Sequence, residues 1–202
     1  MFAGFAVEAD PKRLLERLSH LIDNVLDFAR MERGEKNYNF AQCDLTHIVR
    51  DTVESYRPQL EANGFSVSIN LPPDEMEVRG DCDALAQVLV NLLSNAEKYS
   101  GTAREIAVEL RRNRDTAEIR VLDRGLGVPR GAEEKIFEQF YRADDSLSTG
   151  IQGSGLGLTL ARQIARAHGG DVRYHAREGG GSCFGVTLPT HPIGLGTRMR
   201  QS

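Results

Sequence analysis

Tryptophan is absent from this 202-residue chain, and cysteine occurs only three times. Cys43, Cys82 and Cys183 lie far apart and match no zinc-ligand spacing. An odd number of scattered cysteines is more typical of buried thiols than of a disulfide framework. From the sequence we therefore expect neither a disulfide nor a metal site at these positions.

The sequence also lacks a long apolar run and a secretory leader. No uninterrupted apolar stretch approaches the roughly 18 residues that a membrane-spanning helix needs. The N-terminus has neither the basic region nor the long apolar core of a signal peptide. We therefore expect the chain as given to be cytoplasmic, with no membrane segment of its own.

An excess of basic residues is missing as well. Lysine and arginine number 25 against 29 aspartate and glutamate residues, which gives a formal net charge of -4. Nucleic-acid-binding domains are normally basic on at least one face, and this chain has no run of lysine or arginine. Its 40% hydrophobic and 27% charged residues predict instead a globular domain with an appendage.

Residues 1–36 predict one long amphipathic helix. Asp10 and Pro11 form a helix start, with the aspartate as the cap and the proline at the first helical position. The helix should run to about Arg33, and Gly34 should end it. Its apolar face is too wide for a helix alone in water, so we expect a helical bundle or a dimer. That face consists of Leu14, Leu18, Leu21, Ile22, Val25, Leu26, Phe28 and Ala29.

Residues 37–189 predict a second, α+β domain. Asp44 and Asp81 each precede an amphipathic helix as caps, and Pro58 should kink or loosen the end of the first one. Alternating apolar residues predict a strand at 65–71, with a short strand at 76–79 as its possible partner. Further strands are expected at 106–110 and 117–121 as a hairpin, at 172–174 and at 184–188, with a helix over 155–168.

These elements sum to a two-layer α/β sandwich, in which helices cover one face of a mixed sheet. The polar stretch from Asp123 to Gly155 is long for a structureless connection, and such stretches are usually functional. Residues 190–202 have the composition of a C-terminal tail.

The helix that ends near Ser100 carries a polar edge beside its buried stripe. At about 100° per residue, Asn91, Asn95 and Lys98 project to the same side. Amide oxygens can join the shell of a hard cation such as Mg²⁺, and a lysine can meet a phosphate. The pattern alone leaves two interpretations open: a metal and polyphosphate site, or a solvated helix edge.

Two glycine-bearing stretches complete the pattern. Residues 123–127, Asp-Arg-Gly-Leu-Gly, end a strand, where a carboxylate can accept a hydrogen bond from an exocyclic amine. Gly155-Leu156-Gly157-Leu158, preceded by Gly153, begins a helix and offers backbone amides to phosphate oxygens. Each stretch alone is weak, because the first is common in turns and the second lacks the dinucleotide-binding spacing. Their order and spacing together predict a nucleotide site.

At this point the chain resembles the ATP-binding domain of sensor histidine kinases, in the GHKL group that also contains gyrase-type and chaperone ATPases. The resemblance covers about Asp44 to Pro189, and the preceding helix resembles the second helix of the family's dimerisation hairpin. It implies a GHKL-type sandwich that binds ATP and Mg²⁺, a homodimer formed through the N-terminal helix, and a response-regulator receiver domain as partner. It also allows the chain to be the cytoplasmic part of a membrane sensor.

The resemblance assigns a role to each motif. Asn95, with Asn91 beside it, would meet Mg²⁺ and phosphate, Lys98 would meet phosphate, and Tyr99 would face the adenine. Asp123 would accept from the adenine amine. The residues from Phe137 to Arg142 resemble the family's F box, so Arg142 could meet the phosphates, and about 143–153 would form a lid that is mobile without nucleotide. The remaining nucleotide-binding positions would be Gly125, Gly127, Gly153, Gly155, Leu156, Gly157 and Leu158.

Asn91 bears on the type of reaction. The ATP-hydrolysing relatives, and the serine kinases of the group, carry a glutamate at this position, four residues before the metal-binding asparagine. An amide cannot accept a proton from water as that carboxylate does. The resemblance therefore favours phosphoryl transfer to protein over hydrolysis.

The acceptor histidine that the resemblance requires is not found. His20, His47, His168, His175 and His191 are each followed by a residue other than a carboxylate. We therefore expect the acceptor on a segment or chain other than this one. A nucleotide-sensing dimerisation module and a GHKL ATPase remain the alternatives.

Overall fold

A computed structural model describes residues 11–143 and 154–190 of the chain. The predicted lid beyond Ala143, with Gly153, and the tail beyond Thr190 lie outside these residues. The chain divides into two compact units, residues 1–36 and 37–202. Among the described helices, none combines the length and the apolar character that crossing a bilayer requires.

The first unit contains α1, Pro11–Glu32. The left-handed backbone of Gly34 ends the helix, and Gly34 N–H donates to the Met31 carbonyl at 2.9 Å. Lys36 Nζ then returns to Asp27 Oδ1 at 2.7 Å. Three side chains of the predicted apolar face are among the exposed large apolar groups of the described residues: Ile22, Val25 and Leu26.

The second unit alternates strands and helices. Its elements are β1 Ala41–Asp44, α2 Leu45–Ala62, β2 Ser66–Asn70, β3 Glu77–Gly80, α3 Cys82–Tyr99, β4 Glu105–Asn113, β5 Thr116–Asp123, a single 3₁₀ turn Lys135–Phe137, α4 Gly157–Ala167, β6 Asp171–Ala176 and β7 Ser182–Pro189. Asp44 caps α2 through Thr46 N–H at 2.8 Å, as predicted, and Asp81 caps α3. Helix α2 continues through Pro58 to Ala62.

Five strands form one mixed sheet in the order β2-β4-β5-β7-β6. The predicted hairpin is confirmed, with Leu110 opposite Ile119 in the β4–β5 ladder, and β2 joins β4 in parallel. Along β4 the buried residues alternate with half-exposed ones, and α2, α3 and α4 pack against the sheet. The fold is therefore the expected two-layer α+β sandwich.

The pairing predicted for the short strand near residue 78 is wrong. Strand β3 pairs with β1, so that Cys43 lies opposite Val78, and not with β2. Pro72 and Pro73 follow β2 and lack the amide hydrogens that a tight hairpin ladder needs. Strand β1 has only four residues and no clear alternation, which is why the sequence did not reveal it.

The expectation for two cysteines is also wrong. Cys43 and Cys82 form a disulfide, although 39 positions separate them in the sequence. The β1–β3 ladder ends at Gly80, two residues before Cys82, and thereby brings β1 beside the start of α3. Since that ladder was not predicted, neither was the proximity of the two sulfur atoms. Cys183 is a free, buried cysteine, as expected.

Candidate functional site

Helix α3 sets the polar edge that the sequence singled out. Its apolar stripe is buried, which turns the asparagine edge away from the core: Leu85, Val88, Leu89, Leu92, Leu93 and Ala96. Side-chain exposure increases along that edge: Asn91 is 4% exposed, Asn95 is half-buried and Lys98 is exposed. A buried amide is not part of a solvated helix edge. The structure thus disfavours that interpretation at Asn91.

Glu97 lies on the other side of α3 from this polar edge, and it holds α3 against α2. Its Oε2 accepts from Tyr56 Oη at 2.9 Å and from Gln59 Nε2 at 2.7 Å. Its Oε1 accepts from Asn63 Nδ2 at 2.6 Å. Burial and the nearby Glu97 carboxylate raise the pKa of Tyr56, so the phenol remains a donor. The three hydrogen bonds fix the rotation of α3 and hence the direction of its polar edge.

The Asp123 carboxylate lies at the end of β5, 1% exposed. Its Oδ1 accepts from Gly125 N–H at 2.8 Å and from Ser182 N–H at 3.2 Å, and the Ser182 hydroxyl also bonds to the carboxylate. Burial raises the pKa of Asp123, while these hydrogen bonds and the charge of Arg177 oppose that rise. The carboxylate is therefore held rigidly by donors from two segments.

The loop after Asp123 rests directly on the end of α3. Leu126 N–H donates to the Tyr99 carbonyl at 3.2 Å, and any side chain on Gly125 would overlap with that carbonyl. Gly181 has a left-handed backbone with φ of +100°, and a side chain there would overlap with the Asp123 carbonyl. Glycine is thus required where these segments touch.

A second set of contacts fixes the outer part of this loop. Val128 N–H donates to Tyr174 Oη at 3.2 Å, and the Tyr174 ring packs on Phe184 with a centroid distance of 5.6 Å. Arg177 Nη1 donates to the Asp123 carbonyl at 2.7 Å. The β6–β7 hairpin thereby supports the segment that carries the carboxylate.

The start of α4 lies beside the polar edge of α3. Gly157 is the first helical residue, and a side chain there would approach Asn91 Oδ1 to 3.5 Å. The N-cap, Leu156, provides no side-chain cap, and its own amide donates to Ser154 Oγ at 3.3 Å. The first backbone amides of α4 and its positive dipole end are suited to phosphate oxygens.

The segment around the 3₁₀ turn is fastened to α4. Thr159 Oγ1 donates to the Phe137 carbonyl at 3.0 Å, and the Arg162 guanidinium lies 4.6 Å from the centre of the Phe137 ring. Arg162 also bonds Glu134 at 2.7 Å and Asp171 at 2.9 Å. Despite partial burial, the hydrogen bonds from arginines lower the pKa of Asp171 to about 2.

The structure brings most predicted site residues into one continuous patch. Tyr99 meets Gly125, Asn91 meets Gly157, and Gly155 packs against Phe140. Lys98 lies one turn beyond Asn95 on α3, and Arg142 is half-buried two residues after Phe140. Leu156 is 1% exposed and its amide donates to Ser154 Oγ, so neither its side chain nor its amide is directed to a ligand here, whereas Leu158 is half-buried. Gly127 lies at the outer end of the Asp123 loop, and Gly153 is outside the described residues.

The donor set favours a hard cation that keeps part of its water shell. Within residues 11–143 and 154–190 no cluster of three His, Cys, Asp or Glu side chains is suited to a metal. The amide oxygens of Asn91 and Asn95 would provide two neutral oxygen ligands from positions one helical turn apart. Mg²⁺ is commonly bound through few protein ligands together with phosphate oxygens and water, so these residues fit that ion.

Sequence reasoning missed four residues that shape this patch: Glu97, Ser182, Tyr174 and Arg162. Ser182 follows three glycines, which is the one local signal that could have pointed to a close backbone approach. The other three act through contacts between elements distant in sequence, and no local period indicates such contacts.

Comparison with known proteins gives a consistent result. Residues 80–192 match the family described as "Histidine kinase-, DNA gyrase B-, and HSP90-like ATPase". The sensor-like histidine kinase SenX3 of Mycolicibacterium smegmatis is 30% identical over 176 residues, covering 87% of this chain and 46% of that protein. The chain thus spans about half the length of this curated relative.

Solved structures with the same fold include full-length ShkA in complex with AMPPNP. The similarity has a TM-score of 0.74 at 26% identity and covers 86% of this chain and 36% of ShkA. The histidine kinase ThkA, in complex with the response regulator protein TrrA, gives a TM-score of 0.71 over 95% of this chain and 54% of ThkA. At 21% identity, the latter similarity shows the fold alone.

Proposed function

Because this chain belongs to the family of histidine kinase-, DNA gyrase B- and HSP90-like ATPases, we propose that it is the catalytic part of a two-component sensor histidine kinase. Residues 37–189 would bind Mg²⁺-ATP and transfer its γ-phosphoryl group to a histidine outside this chain. The observation that carries the proposal is the buried, doubly anchored Asp123 carboxylate, whose loop rests on Tyr99 at the end of the same helix that carries Asn91 and Asn95.

Asp123 is suited to recognise the adenine base. Backbone amides occupy Oδ1, which leaves Oδ2 as the oxygen able to accept from the exocyclic amine of adenine. A guanine carries a carbonyl oxygen in place of this amine, so two hydrogen-bond acceptors would face each other and binding would be weaker. Tyr99, half-buried at the end of α3 and in contact with Gly125, would line the same side of the nucleotide site.

The other end of the patch is suited to the polyphosphate. Asn91 and Asn95 would hold Mg²⁺, Lys98 and Arg142 would meet phosphate charge, and the first amides of α4 would bind phosphate oxygens. When bound, Mg²⁺ supplies charge neutralisation. Phosphoryl transfer depends mainly on such positioning and electrostatics, so no covalent step by the protein is required.

Asn91 favours transfer over hydrolysis. Its amide is 4% exposed and lies beside Gly157, where a carboxylate would be needed to activate water. His168 is buried and accepts from Asp81 N–H, His47 lies beside Asp51 on the surface, and none of the five histidines is followed by a carboxylate. An acceptor on another segment or chain is therefore part of the proposal.

The first unit would contribute to a homodimer. Three large apolar side chains of α1 are exposed: Ile22 by 55%, Val25 by 45% and Leu26 by 49%. An isolated helix normally keeps less apolar surface in contact with water. A second copy of this helix is the occupant we propose, and a response-regulator receiver domain is the proposed downstream partner.

Incubation with γ-labelled ATP, Mg²⁺ and a separately produced acceptor hairpin from a sensor kinase tests the function. We expect label on the hairpin, none with Asp123→Asn, and little free phosphate without the hairpin. Nucleotide binding without labelling would instead favour a nucleotide-sensing module. Steady phosphate release without any acceptor would favour an ATPase.

A further inference from the structure

Two cysteines meet where β1 passes the start of α3. Cys43 and Cys82 are joined through their sulfur atoms, and their Cα atoms are 5.7 Å apart, within the usual range for a disulfide. Cys43 is 1% exposed in β1, whereas Cys82 is partly exposed as the first residue of α3. Of the two residues, Cys82 is therefore the more open to a reagent in solution.

The same place anchors the segment that leads into β1. Asn39 N–H donates to Asp81 Oδ2 at 2.9 Å, and Asp81 N–H donates to His168 Nε2 at 2.9 Å. The rings of Tyr38 and Phe40 lie 5.1 and 4.8 Å from the centre of the His168 imidazole. The disulfide is thus the covalent member of a group of contacts that holds this segment on α3 and α4.

We propose that Cys43 and Cys82 form a reversible thiol–disulfide site, which exchanges with low-molecular-weight thiols and controls how firmly residues 38–44 are held on α3. The inference rests on the proposed function in one respect, because ATP and Mg²⁺ are supplied inside the cell. Persistent disulfides are rare there, and those that form are usually transient, catalytic or redox-sensing.

The exchange is a two-electron reaction in two steps. The Cys82 thiolate attacks a small disulfide, its S–S bond breaks, one small thiolate leaves, and a mixed disulfide remains on Cys82. The Cys43 thiolate then attacks the Cys82 sulfur, the second small thiolate leaves, and the protein disulfide forms. The two protein sulfurs lose two electrons, the small disulfide gains them, and the two thiol protons end on the small thiols.

Reduction would leave β1 with few other attachments. Its ladder with β3 has four residue pairs, and in the described part of the chain β1 joins no other strand. The β1–β3 ladder and the contacts of Asn39 and His168 would then hold the segment without a covalent link. Because α3 also carries Asn91 and Asn95, the redox state acts on the helix of the proposed metal and phosphate site.

A glutathione titration of the whole chain tests the site. The protein is equilibrated at a series of reduced-to-oxidised glutathione ratios, alkylated and digested, and each cysteine is counted by mass spectrometry. We expect Cys43 and Cys82 to become alkylated together as the ratio rises, with a midpoint inside the range that glutathione buffers. Independent alkylation of the two cysteines at every ratio would refute the site. A bond that resists every ratio would be purely structural and would equally refute reversibility.

Amide hydrogen exchange tests the consequence. On reduction we expect exchange of residues 41–44 to rise by about tenfold or more, because local opening no longer has to break a covalent link. Cys82→Ser should exchange at the reduced rate under both conditions, whereas Cys183→Ser should keep the difference. Equal exchange in both redox states would overturn the control of this segment.

Nucleotide binding, measured by calorimetry in both redox states, separates this inference from the proposed function. A reversible Cys43–Cys82 bond in a chain that binds no ATP would refute the proposed function and leave the thiol site standing. A chain that binds ATP but never forms the Cys43–Cys82 disulfide would support the proposed function and refute the thiol site.

Discussion

The Asp123 end of the candidate site and the α3 edge are built in opposite ways. Asp123 is 1% exposed and takes its donors from two segments, so its position is fixed before any ligand arrives. Asn95 and Lys98 lie half-buried and exposed on a single helix. The Asp123 end is suited to recognise one base. The α3 edge is suited to bind Mg²⁺ and phosphate, whose charge depends on how much metal is bound. The two ends should therefore respond differently to substitution, to magnesium and to pH.

The largest effect is expected for Asp123→Asn. The amide oxygen can keep the bonds from Gly125 and Ser182, but the amide nitrogen sets a donor against the adenine amine. Replacing this hydrogen bond by two opposed donors costs about 1–3 kcal/mol, which corresponds to about a 5- to 150-fold loss of ATP affinity. Calorimetry should show this loss with and without Mg²⁺. Asp74→Asn, an exposed carboxylate far along the chain, is the matched control, and unchanged affinity in Asp123→Asn would refute the base-recognition role.

Asn95→Ala should have an intermediate effect that depends on magnesium. Loss of one oxygen ligand is expected to weaken Mg²⁺-ATP binding by about fivefold, which corresponds to about 1 kcal/mol, and to leave metal-free ATP binding nearly unchanged. Titration of ATP at several Mg²⁺ concentrations measures the difference. Asn70→Ala makes the same chemical change on exposed β2 and should alter neither curve. An equal loss with and without metal would contradict the assignment of this end.

Ser182→Ala tests whether the Asp123 end depends on its supporting donors. The substitution removes the hydroxyl bond to the carboxylate but keeps the backbone N–H bond at 3.2 Å. We expect ATP affinity to fall by about two- to fivefold and the pKa of Asp123 to rise further, because one stabilising donor of the charged form is lost. Binding measured against pH should show the shift. Ser66→Ala on the exposed start of β2 is the control, and a wild-type pH profile in Ser182→Ala would rule out the supporting role.

A fourth expected effect is on stability, and its sign differs between two aspartates, Asp123 and Asp171. The pKa of Asp123 is raised in the folded state, so folding favours the protonated carboxyl. This preference adds to the free energy of unfolding at low pH. The added stability is lost as the pH rises from the usual pKa of 3.8 through the folded-state pKa. Stability relative to Asp123→Asn should therefore fall over that interval. Asp171 has a pKa lowered to about 2, so wild-type stability relative to Asp171→Asn should rise between about pH 2 and 3.8.

Urea unfolding of the three proteins across this pH range measures both trends. The slopes against pH carry the test, because each substitution also shifts the baseline by an amount that does not vary with pH. Slopes of the same sign would show that Asp123 is not an unfavourably buried carboxylate.

The local elements and the order of the motifs could be predicted from the sequence. The polar edge of α3, the caps at Asp44 and Asp81 and the β4–β5 hairpin depend on residues close in the chain, where periodicity and capping preferences act. The resemblance to sensor histidine kinases and the GHKL fold are likewise confirmed by the family match and the structural relatives.

Long-range contacts could not be predicted in the same way. Three such contacts join residues that are 33 to 59 positions apart: the β1–β3 ladder, the Cys43–Cys82 bond and the support of Asp123 by Ser182. No local period indicates which four-residue segment will find which partner. The roles of Asn95, Lys98, Arg142 and the second glycine stretch in binding remain predictions that the proposed experiments test.

The loop after Asp123 differs from position to position in the amino acids that it can tolerate. Gly125 lies against the last carbonyl of α3 and tolerates no side chain, whereas its neighbour Leu126 is 71% exposed. A saturation library over this loop should therefore alternate between a position that accepts one amino acid and a position that accepts nearly all. The backbone contact, more than any side chain, sets the limit on variation at this edge of the pocket.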